Sequence, residues 1–345
     1  MRPSFCPRLV NGPFDDPGLY IPFGFQHRAF MFDLGDISAL SSKDILKISH
    51  VFVTHTHMDH FAGFDRLLRL MIGRDKTLYL YGPRGFIENV EGKLAGYTWN
   101  LVKNYTESLV LEIAEIDTHT VIRRKYPCNN RFKAWEEPQI APFNGRVLTE
   151  GDLEINAAVL DHGIPCLGFT IMERFHINIR KNGLAALNLQ PGPWLQIFKQ
   201  SMYDNLDPAT RIEAESRQKG KLIAFRLADL RQKIALITPG QKVSYVADVA
   251  YNETNIERIV SLVEKSDHLF IEAAFLEAHR DTARLKNHLT ARQAGSLAGW
   301  AQVKQITPFH FSPRYKACGH QLEAEARQAY ADSFGTPFTP RVGKA

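Results

Sequence analysis

The densest chemistry in the chain is His55-Thr56-His57-Met58-Asp59-His60, with four potential metal ligands within six residues. It directly follows a run of β-branched and aromatic residues, Ile48 to Thr54. It directly precedes Phe61, Phe64, Leu67, Leu68 and Met71, spaced as the apolar face of a helix. In an extended segment His55 and His57 point to the same side, because side chains alternate with period two. The turn into the helix then brings Asp59 and His60 round to the same mouth. Two imidazoles on one side of a bend, and a carboxylate plus imidazole on the other, can hold two neighbouring metal ions. Such ligands suit zinc, and manganese or iron can take them as well. The plainer reading is a polar loop that caps the helix, with Asp59 as N-cap. It accounts for one or two histidines but not for this density.

One loop cannot complete two sites, so further ligands are expected at the ends of other strands. His162, in Leu160-Asp161-His162-Gly163, follows a strand. Asp248 follows Val243 to Ala247, and His310 follows a run ending in Pro308-Phe309. Each alone reads as an ordinary loop residue. Their shared place at strand ends, where sites of layered α/β folds gather, makes them candidates.

The positioning elements follow from periodicity. Strands are expected at 18–22, 29–33, 48–54, 77–81, 153–160, 167–171, 243–247, 268–271 and 302–307, and helices at 253–263, 290–300 and 314–330. Residues 109–172 read as strands of an antiparallel or mixed sheet. Between 173 and 240 the pattern weakens, with Pro191-Gly192-Pro193 and a charged run from Arg211 to Lys221, so an inserted, partly irregular segment is expected there. Strands followed by helices in each half fit an α/β chain built as an αββα sandwich, two mixed sheets flanked by helices. The whole of 1–345 reads as one metallo-hydrolase domain with 173–240 inserted in it.

Composition narrows the class. The 345 residues include 42 Lys+Arg and 37 Asp+Glu, a net charge of +5, with 44% hydrophobic residues, as in ordinary globular chains. Nothing approaches the roughly 18 consecutive apolar residues of a membrane helix, and Met1 to Arg8 has no apolar core of a secretory signal. Four scattered cysteines without a C-x-x-C pair argue against a disulfide framework and point to the reducing cytoplasm. No G-x-G-x-x-G follows a strand, so no nucleotide cofactor is expected. A mild +5 permits an anionic partner without requiring one.

With these residues in place, the chain from about Leu19 to Tyr315 resembles the metallo-β-lactamase superfamily, and within it the ribonuclease Z (tRNA 3′-endonuclease) branch. His310-Phe311-Ser312-Pro313-Arg314-Tyr315 is similar to that branch's His-Phe-Ser-x-Arg-Tyr element. Phe270-Ile271-Glu272-Ala273-Ala274-Phe275 resembles its His-Glu-Ala-Thr-Phe segment, and His288-Leu289-Thr290-Ala291-Arg292-Gln293-Ala294 its His-Ser-Thr-x-x-Gln-Ala segment. The resemblance implies two zinc ions, one held by His55, His57 and His162 and the other by Asp59, His60 and His310, with Asp248 bridging. It implies Asp59, Glu272 and His288 as catalytic residues and a homodimer acting on precursor tRNA, with Arg314, Tyr315 and Lys199 as substrate contacts. Two metals about 3.5–4 Å apart can activate water and neutralise phosphoryl charge. A histidine oriented by a carboxylate, as His288 by Glu272, suits protonation of a leaving oxygen.

The chain departs from the branch in places. Val10-Asn11-Gly12-Pro13-Phe14-Asp15-Asp16-Pro17 stands where a Gly-rich loop is usual, Asp248 lies in Ala-Asp-Val instead of Gly-Asp-Thr, and Leu289 follows His288 instead of Ser. An RNA substrate also calls for gathered cations, for which Arg174, Arg180, Lys181, Lys199 and Arg314 are available. Two other readings stay open: a hydrolase of the same fold for another phosphodiester, such as a cyclic nucleotide, or for a lactone or ester, and a noncatalytic RNA-binding relative.

Overall fold

A computed structural model describes residues 5–24, 26–105, 108–218, 220–336 and 338 of the chain. The chain divides into two compact units: Met1–Val147, Asn156–Thr170 and Lys242–Ala345 form one, and Leu148–Ile155 and Ile171–Gln241 the other.

The first unit contains most of the αββα sandwich. Its eight-stranded sheet runs in chain order from Arg8–Leu9 to Gln139–Pro142. The central strands Ala29–Phe32, Ile48–Phe52, Lys76–Pro83 and Leu109–Ile116 are parallel, and the outer pairs are antiparallel. The second sheet is ordered Ile306–Phe309, His268–Glu272, Lys242–Val246, Pro165–Glu173, Leu153–Asp161, Arg146–Glu150. Period-two alternation divides the faces of these strands. Val51, Leu78 and Leu80 pack with Phe64, Leu67 and Phe86 of the helices Phe64–Met71 and Phe86–Ala95. Phe32 and Phe52 turn the other way and meet Phe169 of the second sheet, ring centroids 5.6 Å apart in both pairs. Helices Glu253–Val263, Ala291–Trp300 and Gly319–Ser333 cover the second sheet's outer face through Ile259, Leu297 and Leu322.

Three expectations change in detail. The single helix expected after His60 is two, Met58–Phe61 and Phe64–Met71. The chain bends there so that the Gly63 amide can donate to the Leu34 carbonyl at 2.8 Å. The last strand starts at Ile306, because Gln302 is left-handed at φ 53°. The described residues of 173–240 form hairpins and helices around Ile177, Leu184, Phe198, Ile212 and Leu230. The charged run hides a strand, Arg211–Glu215, in which only Ile212 and Ala214 are buried, so charge masks the alternation.

Parallel register brings the chemistry to one edge of the first unit. Val246 pairs with Ile271 and Glu272 with Phe309, so Asp248, Glu272 and His310 emerge side by side. Facing them, the Asp33 amide donates to the Phe52 carbonyl, and the Leu34 amide to that of His60. Gly35 locks this corner, since a Cβ there would overlap the Asp59 carbonyl, the Asp16 side chain and the Pro17 carbonyl. Gly35→Ala is expected to destabilise the protein by about 1–3 kcal/mol, as overpacking does, and to lower its metal content. Thermal unfolding and elemental analysis would check both.

Candidate metal centre

Each side chain of the cluster is aimed by a local feature. His57 is the N-cap of Met58–Phe61 yet makes no capping bond with its side chain, so its imidazole is not spent on the helix. His162 sits in a turn closed by its amide donating to the Ile164 carbonyl at 2.9 Å. Gly163 takes φ 77° there, a conformation that disfavours a side chain. His310 is itself left-handed at φ 59°, as is Asp33 at 55°, residue types that tolerate this region better than most.

The cluster converges on Asp248, which is buried. Its Oδ2 lies 3.4 Å from His60 Nε2, 3.6 Å from His162 Nε2 and 3.8 Å from His55 Nε2, and its Oδ1 lies 3.0 Å from His310 Nδ1. Asp59 Oδ2 is 3.3 Å from His310 Nε2 and 3.7 Å from His60 Nε2. His55, His57, His162 and Asp248 form one group able to hold an ion, and Asp59, His60 and His310 a second. Asp248, Glu272, His288 and His310 make a third combination.

The donor chemistry fits metals. His60 Nε2, Asp248 Oδ1 and His310 Nδ1 are buried without a well-aligned hydrogen bond, although His60 Nε2 lies 3.4 Å from Asp248 Oδ2 and His310 Nδ1 lies 3.0 Å from Asp248 Oδ1, an arrangement that a bound cation would satisfy. The remote nitrogens, by contrast, are held: His60 Nδ1 bonds Asp33 at 2.9 Å, and His162 Nδ1 donates to the Asn287 carbonyl at 2.8 Å. Such outer partners fix the tautomer that leaves the inner lone pair free. Titration agrees. Burial, with the neighbouring His60, depresses His55 to about 2, so its ring is neutral. Asp59 is held at about 2, since the hydrogen bond from His310 and the charges of His60 and His310 outweigh the upward push of burial. In the same way His310 and His60 hold Asp248 well below the carboxylate range against its desolvation. Neutral imidazoles and ionised carboxylates are the forms that ligate.

Asp33 is a contributor the sequence reading missed. Its buried carboxylate bonds His60, accepts from the Thr54 amide at 2.7 Å and hydroxyl at 2.9 Å, and accepts from Tyr245 OH at 3.0 Å. The available signal was an acid at a strand end in Phe32-Asp33-Leu34-Gly35, but nothing local links it to His60. Asp33→Asn is expected to weaken metal affinity about 10- to 100-fold, the usual effect of losing such a partner. Competition against a chromophoric chelator would measure it.

Glu272 and His288 stand beside this cluster as a pair. Glu272, buried at a strand end, bonds His288 Nδ1 at 3.1 Å through Oε2, and its Oε1 accepts from the Val249 amide at 2.7 Å. Burial pushes the His288 pKa down, but the carboxylates of Glu272 and Asp248 raise it to about 9. A bridge between Phe275 and Thr290, with the His288 amide donating to the Ala283 carbonyl, sets the loop.

Comparison with known proteins agrees with this geometry. No family model matches the chain. It is 27% identical over 294 residues to Ribonuclease Z of Deinococcus radiodurans, covering 85% of this chain and 84% of that protein. To Ribonuclease Z of Thermococcus sibiricus it is 29% identical over 276 residues, covering 79% and 71%. The fold is similar to the metallo-beta-lactamase fold protein YhfI from Bacillus subtilis (TM-score 0.54, 15% identity, 94% of each chain covered). It is also similar to the short form of human tRNase Z (TM-score 0.50, 15% identity, 91% and 93% covered). Over most of its length the chain is thus similar to proteins named Ribonuclease Z, and its fold is that of metallo-β-lactamase fold proteins.

The remaining candidate residues are dispersed. Arg314 is exposed, its guanidinium 5.5 Å from the Phe275 ring centroid. Tyr315 is buried, its hydroxyl 2.7 Å from His279 Nδ1 and accepting from the Leu276 amide, which makes it a support for the Phe275 segment. Lys199 belongs to the other unit. Burial lowers its pKa against the opposing pull of Glu173 and Asp152. There, too, Arg174 spends its guanidinium on the carbonyls of Gly151 and Tyr203. No helix among the described residues is long and apolar enough to cross a membrane.

Proposed function

We propose that this protein is a zinc-loaded dinuclear endoribonuclease that removes the 3′ trailer of precursor tRNA. The observation that carries the reading is the Glu272–His288 pair, set beside the ligand cluster with His288 Nδ1 3.9 Å from Asp248. Relatives named Ribonuclease Z, matched over about four-fifths of the chain, support the substrate. In this reading His55, His57 and His162 would hold one ion and Asp59, His60 and His310 the other, with Asp248 available as a ligand to either. Bound there, the two cations activate water and neutralise charge on the phosphoryl oxygens.

The chain's own groups do the rest. Asp59, ionised and half-exposed, accepts a hydrogen bond from the attacking water and orients it. As the phosphorus–oxygen bond to the leaving ribose breaks, His288 gives that oxygen the proton on Nε2. Glu272 accepts from the opposite N–H at Nδ1, stabilises the imidazolium from which Nε2 donates, and is itself kept in place by the Val249 amide. Arg314 supplies a cation for the RNA backbone beyond the site, and Tyr315 positions the segment beneath it. Lys199 acts as a weaker contact. The same reading makes the enzyme a cytoplasmic homodimer.

Side-by-side turnover of bis(p-nitrophenyl) phosphate and a lactone by the metal-loaded protein tests the reaction class. Phosphodiester cleavage that disappears with chelation is expected. Lactone turnover with an untouched phosphodiester, or RNA binding without cleavage in added zinc or manganese, would remove the proposal.

A further inference from the structure

A cavity of about 760 Å³ lies wholly within the unit formed by Leu148–Ile155 and Ile171–Gln241, and it shares no residue with the ligand cluster. Its size falls within the range of small-molecule sites, about 300–1,000 Å³. Strand Phe175–Ile179 pairs with Ala235–Pro239, and the Arg180 amide donates to the Ile234 carbonyl at 2.8 Å. This sets Arg180 beside the end of helix Leu227–Ile234, whose last turn carries Arg231. A further wall is the loop that follows helix Trp194–Tyr203. That loop is tied down at both ends. The Leu206 amide donates to the Ser201 carbonyl at 3.0 Å, and the Pro208 and Thr210 carbonyls accept from the Ala228 and Leu227 amides at 3.0 and 2.8 Å. The same bonds occupy the first amides of helix Leu227–Ile234, so its N-terminus is not what would hold a ligand.

The lining is divided chemically. Met202, Leu227 and Ala235 are buried in it, while Leu206 and Ile237 remain 44% and 40% exposed. No aromatic side chain lines the cavity, so a nucleobase would find no ring to stack on. The charged residues of the lining are Arg180 and Arg231, both exposed. Neither guanidinium makes a hydrogen bond or ion pair among the described residues. The nearest acids in sequence lie outside the lining and are engaged elsewhere. Asp204 accepts from Gln200 at 2.9 Å, Asp207 from the Ala209 amide at 2.7 Å, and Asp229 is held by Arg226 at 3.0 Å. Two unneutralised guanidiniums in one cavity repel each other until an anion joins them, and their planar forks match a carboxylate or phosphate. The aliphatic side chains gain by covering an apolar chain.

We infer that this cavity binds a small amphipathic anion, an aliphatic chain ending in a carboxylate or a phosphate monoester. The chain lies against Met202, Leu206 and Ile237, and the head sits on Arg180 and Arg231. The inference stands independently of the endoribonuclease reading. From the sequence alone Arg180 is a candidate contact to RNA; the aliphatic wall beside it redirects it to this ligand.

Isothermal titration calorimetry of the full chain with octanoate and octyl phosphate tests this, with 1-octanol and inorganic phosphate as controls. At least one amphipathic anion should bind about tenfold or more tightly than either control, and the tighter of the two identifies the head group. Arg180→Gln combined with Arg231→Gln, both at exposed positions, should weaken that binding about tenfold or more. Leu206→Asp, which sets an anion in the aliphatic wall, should do the same with both arginines in place. Octanol binding as tightly as the anions would leave only an apolar patch, and inorganic phosphate binding as tightly as octyl phosphate only a surface anion contact. Either overturns the inference, as does the absence of binding or binding that survives the double arginine change. A short RNA oligonucleotide that binds through the two arginines while octanoate and octyl phosphate do not would assign them to an RNA backbone, and would overturn it too.

Discussion

Asp248→Ala is expected to strip both metals and to lower kcat/KM on any phosphodiester by roughly 10³-fold or more, the scale of losing metal-supplied charge stabilisation. The carboxylate is buried at the centre of the cluster, with one oxygen facing His310 and the other facing His55, His60 and His162. Removing it leaves those imidazoles pointed at one another with no anion between them, and an uncompensated buried group of this kind typically costs about 3–5 kcal/mol. Metal analysis should therefore find the variant empty, and unfolding should find it less stable. Two ions retained with activity intact would contradict the bridging role.

His288→Ala separates chemistry from binding. Its ring lies against Glu272 and is absent from the two ligand groups built around the His55–His60 loop, so the variant should keep its metals while kcat falls about 10²- to 10⁴-fold, the range for a lost general acid. The pH behaviour has a definite sign. In the metal-free protein the His288 pKa is raised from 6.5 to about 9 by Glu272 and Asp248 against the opposing effect of burial. Its stabilising contribution is therefore complete below pH 6.5 and is lost as pH rises through about 9. Two nearby cations move that titration downward, so the basic limb of kcat in the loaded enzyme should fall below the metal-free value and vanish in His288→Ala. NMR titration of the metal-free protein and a pH profile of the loaded enzyme check the two halves.

The parts of this centre that were legible in the sequence were those with local density or a strand boundary. His55 to His60 announce themselves by spacing, and His162, Asp248 and His310 by following apolar runs. The sandwich was readable because its strands and helices keep clean periodicity. Asp33 was not readable, since its partner His60 is 27 residues away, on a short helix that the fold returns to the end of Asp33's strand. The build of residues 173–240 was obscured for a different reason: its short strands expose every second residue, so Arg211–Glu215 reads as charge. Lys199 carries the right charge for RNA, but its burial beside Asp152 and Glu173 depends on packing that composition cannot report.

The most direct test is to load the protein with zinc, incubate it with a precursor tRNA carrying a 3′ trailer, and map the ends of the products. A single cut at the trailer junction, absent after chelation and strongly slowed in His288→Ala, is the predicted result. An intact precursor in the presence of two bound metals, or cuts scattered along the RNA, would contradict the central claim.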